Sequence, residues 1–250
     1  MSLETQIAAL VSAANNLTGN VSGKIAEIDA ALVAAGVTYN AQLEDLKNRL
    51  PRLLVTKNYR MLDADANGLP DNWGQHAEVT ATKVRTISSL SEAAGRPAED
   101  IALLAQIEAD VREVYPDFDI RKSSYYRAAF NVWQYQWTQN ASTGYLSYPV
   151  ATDQQVTGDP GHLPLNSYVT VAGFVKVIEG GLTGMWANGA TLGKWRWCSL
   201  VINPTKQFGV YSALHPMRVG NTGLAQVALC GAATGVISHP ASWGAMLGLA

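Results

Sequence analysis

The sequence predicts an α+β fold with three parts: an N-terminal helical, coiled-coil-like stalk, a helical middle segment and a C-terminal antiparallel all-β domain. Three observations predict it. Apolar residues recur every three or four positions over residues 1–54, and a second helical pattern lies within 55–139. Residues 140–250 break into short β-branched and aromatic runs punctuated by Gly, Pro and Asn.

In the first part Leu3, Ile7, Leu10, Ala14, Leu17 and Val21 form one seam. Ile25, Ile28 and Leu32 form another, offset by a four-residue step of the kind a stutter produces. Asn15, Asn16, Gly19, Asn20, Ser22 and Gly23 weaken the middle. A break is expected at Gly36, after which Leu43, Leu46 and Leu50 resume the pattern until Pro51. So narrow a stripe cannot make a globular core. It is sheltered either by copies of itself, making the chain a homo-oligomer, or by the rest of the same chain as a helical hairpin.

The middle part opens with a loop. A short helix is expected around Val84 to Ala94, ended by Gly95. Pro97, Glu99 and Asp100 then give a helix-start signature, Ile101, Leu104, Ile107, Val111 and Val114 run down one face, and Pro116 stops it. The nearly uncharged, aromatic run Tyr125 to Trp137 reads as helix first and strand later, in a core or an interface. In the last part strands are expected over Tyr168 to Ile178, Lys194 to Ile202, Gln207 to Ala213 and Ala225 to Cys230. About 110 residues of this texture suit a small sandwich or barrel.

Composition narrows the function. Charged residues are 15% of the 250, against roughly 25% in typical soluble domains, so small polar residues or subunit interfaces must cover much of the surface. A net charge of −2 gives no footprint for a phosphate backbone, which excludes nucleic acid as an expected partner. No apolar stretch reaches the ~18 residues of a spanning helix, and Glu4 and Gln6 stand where a signal peptide would be basic and then apolar. The chain is therefore expected to start in a cytoplasm and to have no membrane span. Cys198 and Cys230 are too few and too distant for a disulfide framework or zinc site, and read as buried small hydrophobes.

The opening segment, Ser2 to Leu32, is rich in Ala, Asn, Leu and Val in heptads and carries the phrases Asn16-Leu17-Thr18 and Lys24-Ile25-Ala26-Glu27-Ile28. It resembles the N-terminal regions of tail-fibre and related attachment proteins of tailed bacteriophages. That resemblance covers about an eighth of the chain and implies a homotrimer assembled in the host cytoplasm into a virion. An N-terminal stalk would dock on other tail or baseplate proteins, and a β-rich end would face host surface sugar or protein. The chain is short for such a fibre, so an adaptor, collar or baseplate component fits the resemblance as well.

The sharpest local motif is Asp63-Ala-Asp65-Ala-Asn67-Gly68-Leu69-Pro-Asp71-Asn-Trp73. Asp63, Asp65, Asn67 and Asp71 stand at positions one, three, five and nine of a calcium loop, with the Leu69 carbonyl at seven and Gly68 at the tight turn. The run resembles the calcium loops of thrombospondin-type and dockerin-like repeats, except that Gly74 replaces the bidentate Glu at position twelve. The alternative is an Asx-rich turn without metal.

Elsewhere the chemistry is sparse. His76, His162, His215 and His239 sit in unrelated contexts, and no nucleophile-elbow, phosphate-loop, dinucleotide or zinc-protease motif is present. Asp117 with Asp119, and Asp153 with Asp159, are the carboxylate pairs that a glycan-degrading virion enzyme would need. Trp195 and Trp197 alternate with basic residues, so on a strand both indoles face one side, either as platforms for a sugar ring or as core. The expectation is a non-enzymatic virion structural protein. The alternatives are a virion-associated glycan-degrading enzyme and a carbohydrate- or calcium-binding surface module.

Overall fold

The structure, a computed structural model, describes residues 2–122, 128–138, 144–152, 160–244 and 246–248. The chain divides into two compact units, Met1–Leu50 and Pro51–Ala250.

The first unit is one helix, α1 (Leu3–Arg49). Ser2 caps it by accepting from the Thr5 amide at 3.3 Å, and Glu4 adds negative charge to the first turn. At 1.5 Å per residue the helix is about 70 Å long. The expected break at Gly36 does not occur. A helical glycine costs about 1 kcal/mol, which the preceding Ala- and Leu-rich run Ala30 to Ala35 absorbs, and no proline precedes Pro51. Termination follows from Pro51, because the residue before a proline is pushed to extended backbone, and Leu50 has φ −71° and ψ 135°.

The second unit holds strands β1 (Leu53–Leu54), β2 (Trp73–Gly74) and β3 (Val79–Ile87), helix α2 (Ala98–Arg112), and strands β4 (Phe130–Trp137) and β5 (Tyr148–Pro149). There follow β6 (His162–Pro164), β7 (Val169–Thr183), β8 (Trp195–Ile202), β9 (Tyr211–Ala213), β10 (Met217–Thr234) and β11 (Leu247–Gly248). The main sheet is antiparallel in the order β3, β4, β10, β7, β8. β1 pairs with the far end of β10, and β11 lies parallel to β1. β2 with β5, and β6 with β9, make two small ladders.

Two expectations are corrected here. The middle segment is not helical: β3 and β4 belong to the same sheet as the later strands, and α2 is its one α-helix among the described residues. Of the helix expected over Val84 to Ala94, Val84 to Ile87 lie instead in β3, whose Thr80, Thr82, Val84 and Thr86 are β-branched on alternate positions, a pattern that favours a strand, and only Glu92–Ala94 form a short 3-10 helix, ended as expected by Gly95. Nor do the strands after residue 140 form a sandwich or barrel of their own, since β4 pairs with β10 over Val132 to Trp137. Of the aromatic run, Phe130 onward is strand, while Tyr125 and Tyr126 lie outside the described residues.

Both faces of the sheet are covered, which explains runs of consecutive buried residues such as Val169 to Val175. On one face Leu104, Ile107 and Val111 of α2 pack on Phe130, Val132, Phe174, Trp195 and Trp197, with Trp243. On the other, Trp133, Tyr135, Trp137, Val171 and Val175 pack against Leu163 of β6, Trp186 of a 3-10 turn, and Met61, Leu146 and Leu214 from the connecting segments. Each fully buried Val or Leu contributes roughly 1.5–3 kcal/mol. Val114, expected on the buried face of α2, lies beyond its end and is exposed.

Two buried acids fix α2. Asp100 in its first turn accepts from the Ser88 amide at 2.8 Å and from Arg85 at 2.5 Å. Glu108 pairs with Arg112 at 2.9 Å and Arg121 at 3.4 Å and accepts from the amides of Ile120 and Arg121. These partners satisfy charges that would otherwise be costly to bury.

Candidate functional site

The apolar seam of α1 is exposed along its length. Leu3, Ile7, Leu10, Leu17, Val21, Ile25, Ile28 and Leu32 are each at least half exposed, Leu10 at 71% and Leu32 at 65%. Leu46 and Leu50 are exposed as well, and Leu43 is half-buried. No helix among the described residues is long and apolar enough to cross a membrane.

The acidic loop is held at both ends by Asn58. Its Nδ2 donates to the carbonyls of Leu62 and Asp71 at 2.8 and 2.7 Å, and its Oδ1 accepts from the Leu62 amide at 2.9 Å. This brings carboxylate oxygens of Asp63, Asp65 and Asp71 within 4.8 Å of one another. Among the described residues it is the one group of three or more His, Cys, Asp or Glu side chains gathered so closely. Asp63 Oδ2 pairs with Lys83 at 3.2 Å, and Asp71 Oδ2 accepts from the Ala64 amide at 2.9 Å. The other oxygen of each, Oδ1, is buried with no hydrogen-bond partner among the described residues. Within the loop Asn67 Oδ1 accepts from the Leu69 amide at 2.8 Å and its Nδ2 donates to Asp65, contacts that shape the turn and leave the Leu69 carbonyl, the expected position-seven ligand, uninvolved in them. Gly68 takes φ +83°, which a glycine adopts without strain.

Trp195 and Trp197 are 0% and 6% exposed, in the core facing α2, where a sugar ring on the surface does not reach them. Asp117 pairs with His239 at 3.1 Å and Asp119 caps the Lys122 amide at 2.7 Å. Asp153 and Asp159 lie outside the described residues.

The histidines are not all in separate settings. Pairing of β6 with β9 sets His162 opposite Ala213, two residues before His215, whose ring stacks on Tyr148 at 3.9 Å. His76 Nε2 lies 3.4 Å from His215 Nδ1, and Tyr145 and Tyr211 close the cluster. No sequence spacing announces it, because it is assembled across two small strand pairings, β2 with β5 and β6 with β9. Cys198 and Cys230 are buried free thiols. Burial pushes Cys198 up to about 12 and Cys230 well above its ordinary value.

No family model, curated protein or solved structure matches the chain.

Proposed function

We propose that the chain is a homo-oligomeric structural protein of a bacteriophage virion, a tail fibre or fibre-like tail component, whose copies associate through α1. The observation that carries this reading is the exposed seam. Eight large aliphatic side chains on one helical stripe stand in water, and burying each fully would contribute roughly 1.5–3 kcal/mol. Helices in proteins gain most of their stability from packing such a stripe, and contiguous apolar surface of this kind marks an interaction site. The resemblance of Ser2 to Leu32 to phage attachment proteins supports the setting, with a trimer as the assembly it implies. The Pro51–Ala250 unit would then offer its surface to neighbouring tail proteins or to the host. Its exposed Phe208, Leu192 and Tyr211 supply apolar contact points, and several identical copies would multiply weak contacts.

Light scattering on the full chain tests the association. A mass of several chains is expected, and a single-chain mass at high concentration would refute it. Antibody against the chain should decorate the tail in electron micrographs of virions, and unlabelled virions would remove the phage setting.

A second property, calcium binding, is favoured by the acidic loop. Three carboxylates and one lysine leave an excess of two negative charges in a space of 4.8 Å. At an effective dielectric constant of ~20, two such charges repel by about 3–4 kcal/mol, a cost that a divalent cation would reverse. The two orphaned oxygens of Asp63 and Asp71 are the acceptors that a hard cation prefers.

A further inference from the structure

The continuity of α1 through Gly36 joins the two apolar patterns into one. Between Leu32 and Leu43 the seam passes through Ala35 and Tyr39, so it runs without a gap from Leu3 to Leu50. Its positions repeat every eighteen residues: Leu3, Val21 and Tyr39; Ile7, Ile25 and Leu43; Leu10, Ile28 and Leu46; Ala14, Leu32 and Leu50; Leu17 and Ala35. Every one is apolar or aromatic. Eighteen residues are five turns of an ideal helix at 3.6 residues each, the sum of a seven-residue and an eleven-residue unit. Seven-residue repeats wind helices left-handed and eleven-residue repeats wind them right-handed, so alternating the two leaves the stripe parallel to a straight axis. Strict heptads continued from Ile7 would instead turn Lys24, Thr38, Gln42, Asp45 and Arg49 into the interface.

Charge sets the direction. In the unit that begins at Ile25, Lys24 and Asp29 flank the seam on opposite sides, in the g and e positions. Between parallel helices in register a g residue meets the e residue five positions on in its neighbour, and here that pair is Lys24 with Asp29. Between antiparallel helices g faces g and e faces e, which places Lys24 against polar or apolar residues of its own flank and leaves Asp29 away from it. In the single chain Lys24 pairs with Glu27 at 2.6 Å, but both are strongly exposed, and so weak a pair is readily exchanged.

We infer that α1 is the docking surface for copies of itself, packed parallel, in register and without supercoiling, with Lys24 of each helix paired to Asp29 of the next. This rests on the association proposed above. The test is oxidative crosslinking of the full chain carrying single cysteines, since Cys198 and Cys230 are buried. Leu10→Cys and Leu46→Cys should each form homodimers through identical positions at opposite ends of the seam. Asp45→Cys, one residue and about 100° around the helix, should not. Asp29→Lys should weaken assembly several-fold at low salt, with the loss fading near 1 M salt, where the Debye length is ~3 Å. An assembled protein in which Leu10→Cys links to Leu43→Cys but not to itself would overturn the parallel arrangement alone. Crosslinking at Asp45→Cys in place of Leu46→Cys would overturn the straight one, and an unaltered Asp29→Lys variant would overturn the charge pairing. A monomeric mass would overturn association as well.

Discussion

Gly223 of β10 faces Trp137 of β4 across the antiparallel ladder, and the indole lies over its Cα so closely that a Cβ there would run into the ring. The ring is 1% exposed and cannot swing outward without opening the core. Gly223→Ala should therefore overpack the site and destabilise the protein by roughly 1–3 kcal/mol. Denaturant unfolding followed by tryptophan fluorescence measures it, and an unchanged midpoint would show that Trp137 has room to move.

The unit's pH dependence should involve Glu113. It lies 2.5 Å from Lys194 and 2.7 Å from Arg196, and hydrogen bonds from these cations hold its carboxyl below the ordinary 4.5. A depressed folded value means that the contribution is fully present above the unfolded pKa and is lost as pH falls through the folded one. Glu113→Gln should lower Tm slightly at pH 7. The gap to the parent protein should narrow below pH 4.5 and then close. A gap that stayed constant down to acid would show that the ion pairs contribute nothing.

The thiols should be silent in the native state. A thiolate is the reactive form, and burial pushes Cys198 to about 12 and Cys230 well upward, so neither ionises near neutrality. A thiol reagent at pH 8 should leave the folded protein unlabelled and label both cysteines in denaturant. Rapid labelling of the native protein would show that the sheet around β8 and β10 opens readily.

Much of this architecture is legible in residue patterns, and the failures have physical causes. The helical stripe from Leu3 to Leu32 and the β-branched runs around Val169 and Trp195 carry strong periodicity, and the structure forms helix and strand there. Gly36 misleads because a glycine lowers helix propensity by about 1 kcal/mol, too little to stop a helix that enters it through the Ala- and Leu-rich run Ala30 to Ala35 and meets no proline before Pro51. Val84 misleads because β3 is largely exposed along its centre, so the sequence lacks the buried alternation that would identify a strand. The acidic loop is visible in its Asp spacing. The assembly of His76, His162 and His215 is not, since it depends on pairings between strands of two or three residues.

Calcium should stabilise the folded protein. A ligand that binds only the folded state adds about 2.7 kcal/mol at one hundred times its Kd, and Tm should rise with calcium concentration. Asp63→Asn with Asp71→Asn removes two charges and should abolish the rise, whereas Asn67→Ala, a turn residue in the structure, should retain most of it. Equal loss in both variants would place the amide in the ligand set, and absence of any shift in the parent would end the calcium reading.

Ile28 lies at the centre of the α1 seam and is 57% exposed in the single chain. Ile28→Asp removes an aliphatic contact worth roughly 1.5–3 kcal/mol from each helix and asks a carboxylate to enter the interface, so association should weaken by about 100-fold or more. Ala30, about 200° further round the helix, faces the other way, and Ala30→Asp should leave the oligomeric mass unchanged. Sedimentation of both variants over a range of concentrations checks this. The near-ultraviolet dichroism of the tryptophan-rich Pro51–Ala250 unit serves as the control, because the substitutions lie in the other unit. Should Ile28→Asp keep the parent mass, the stripe is not what holds the copies together.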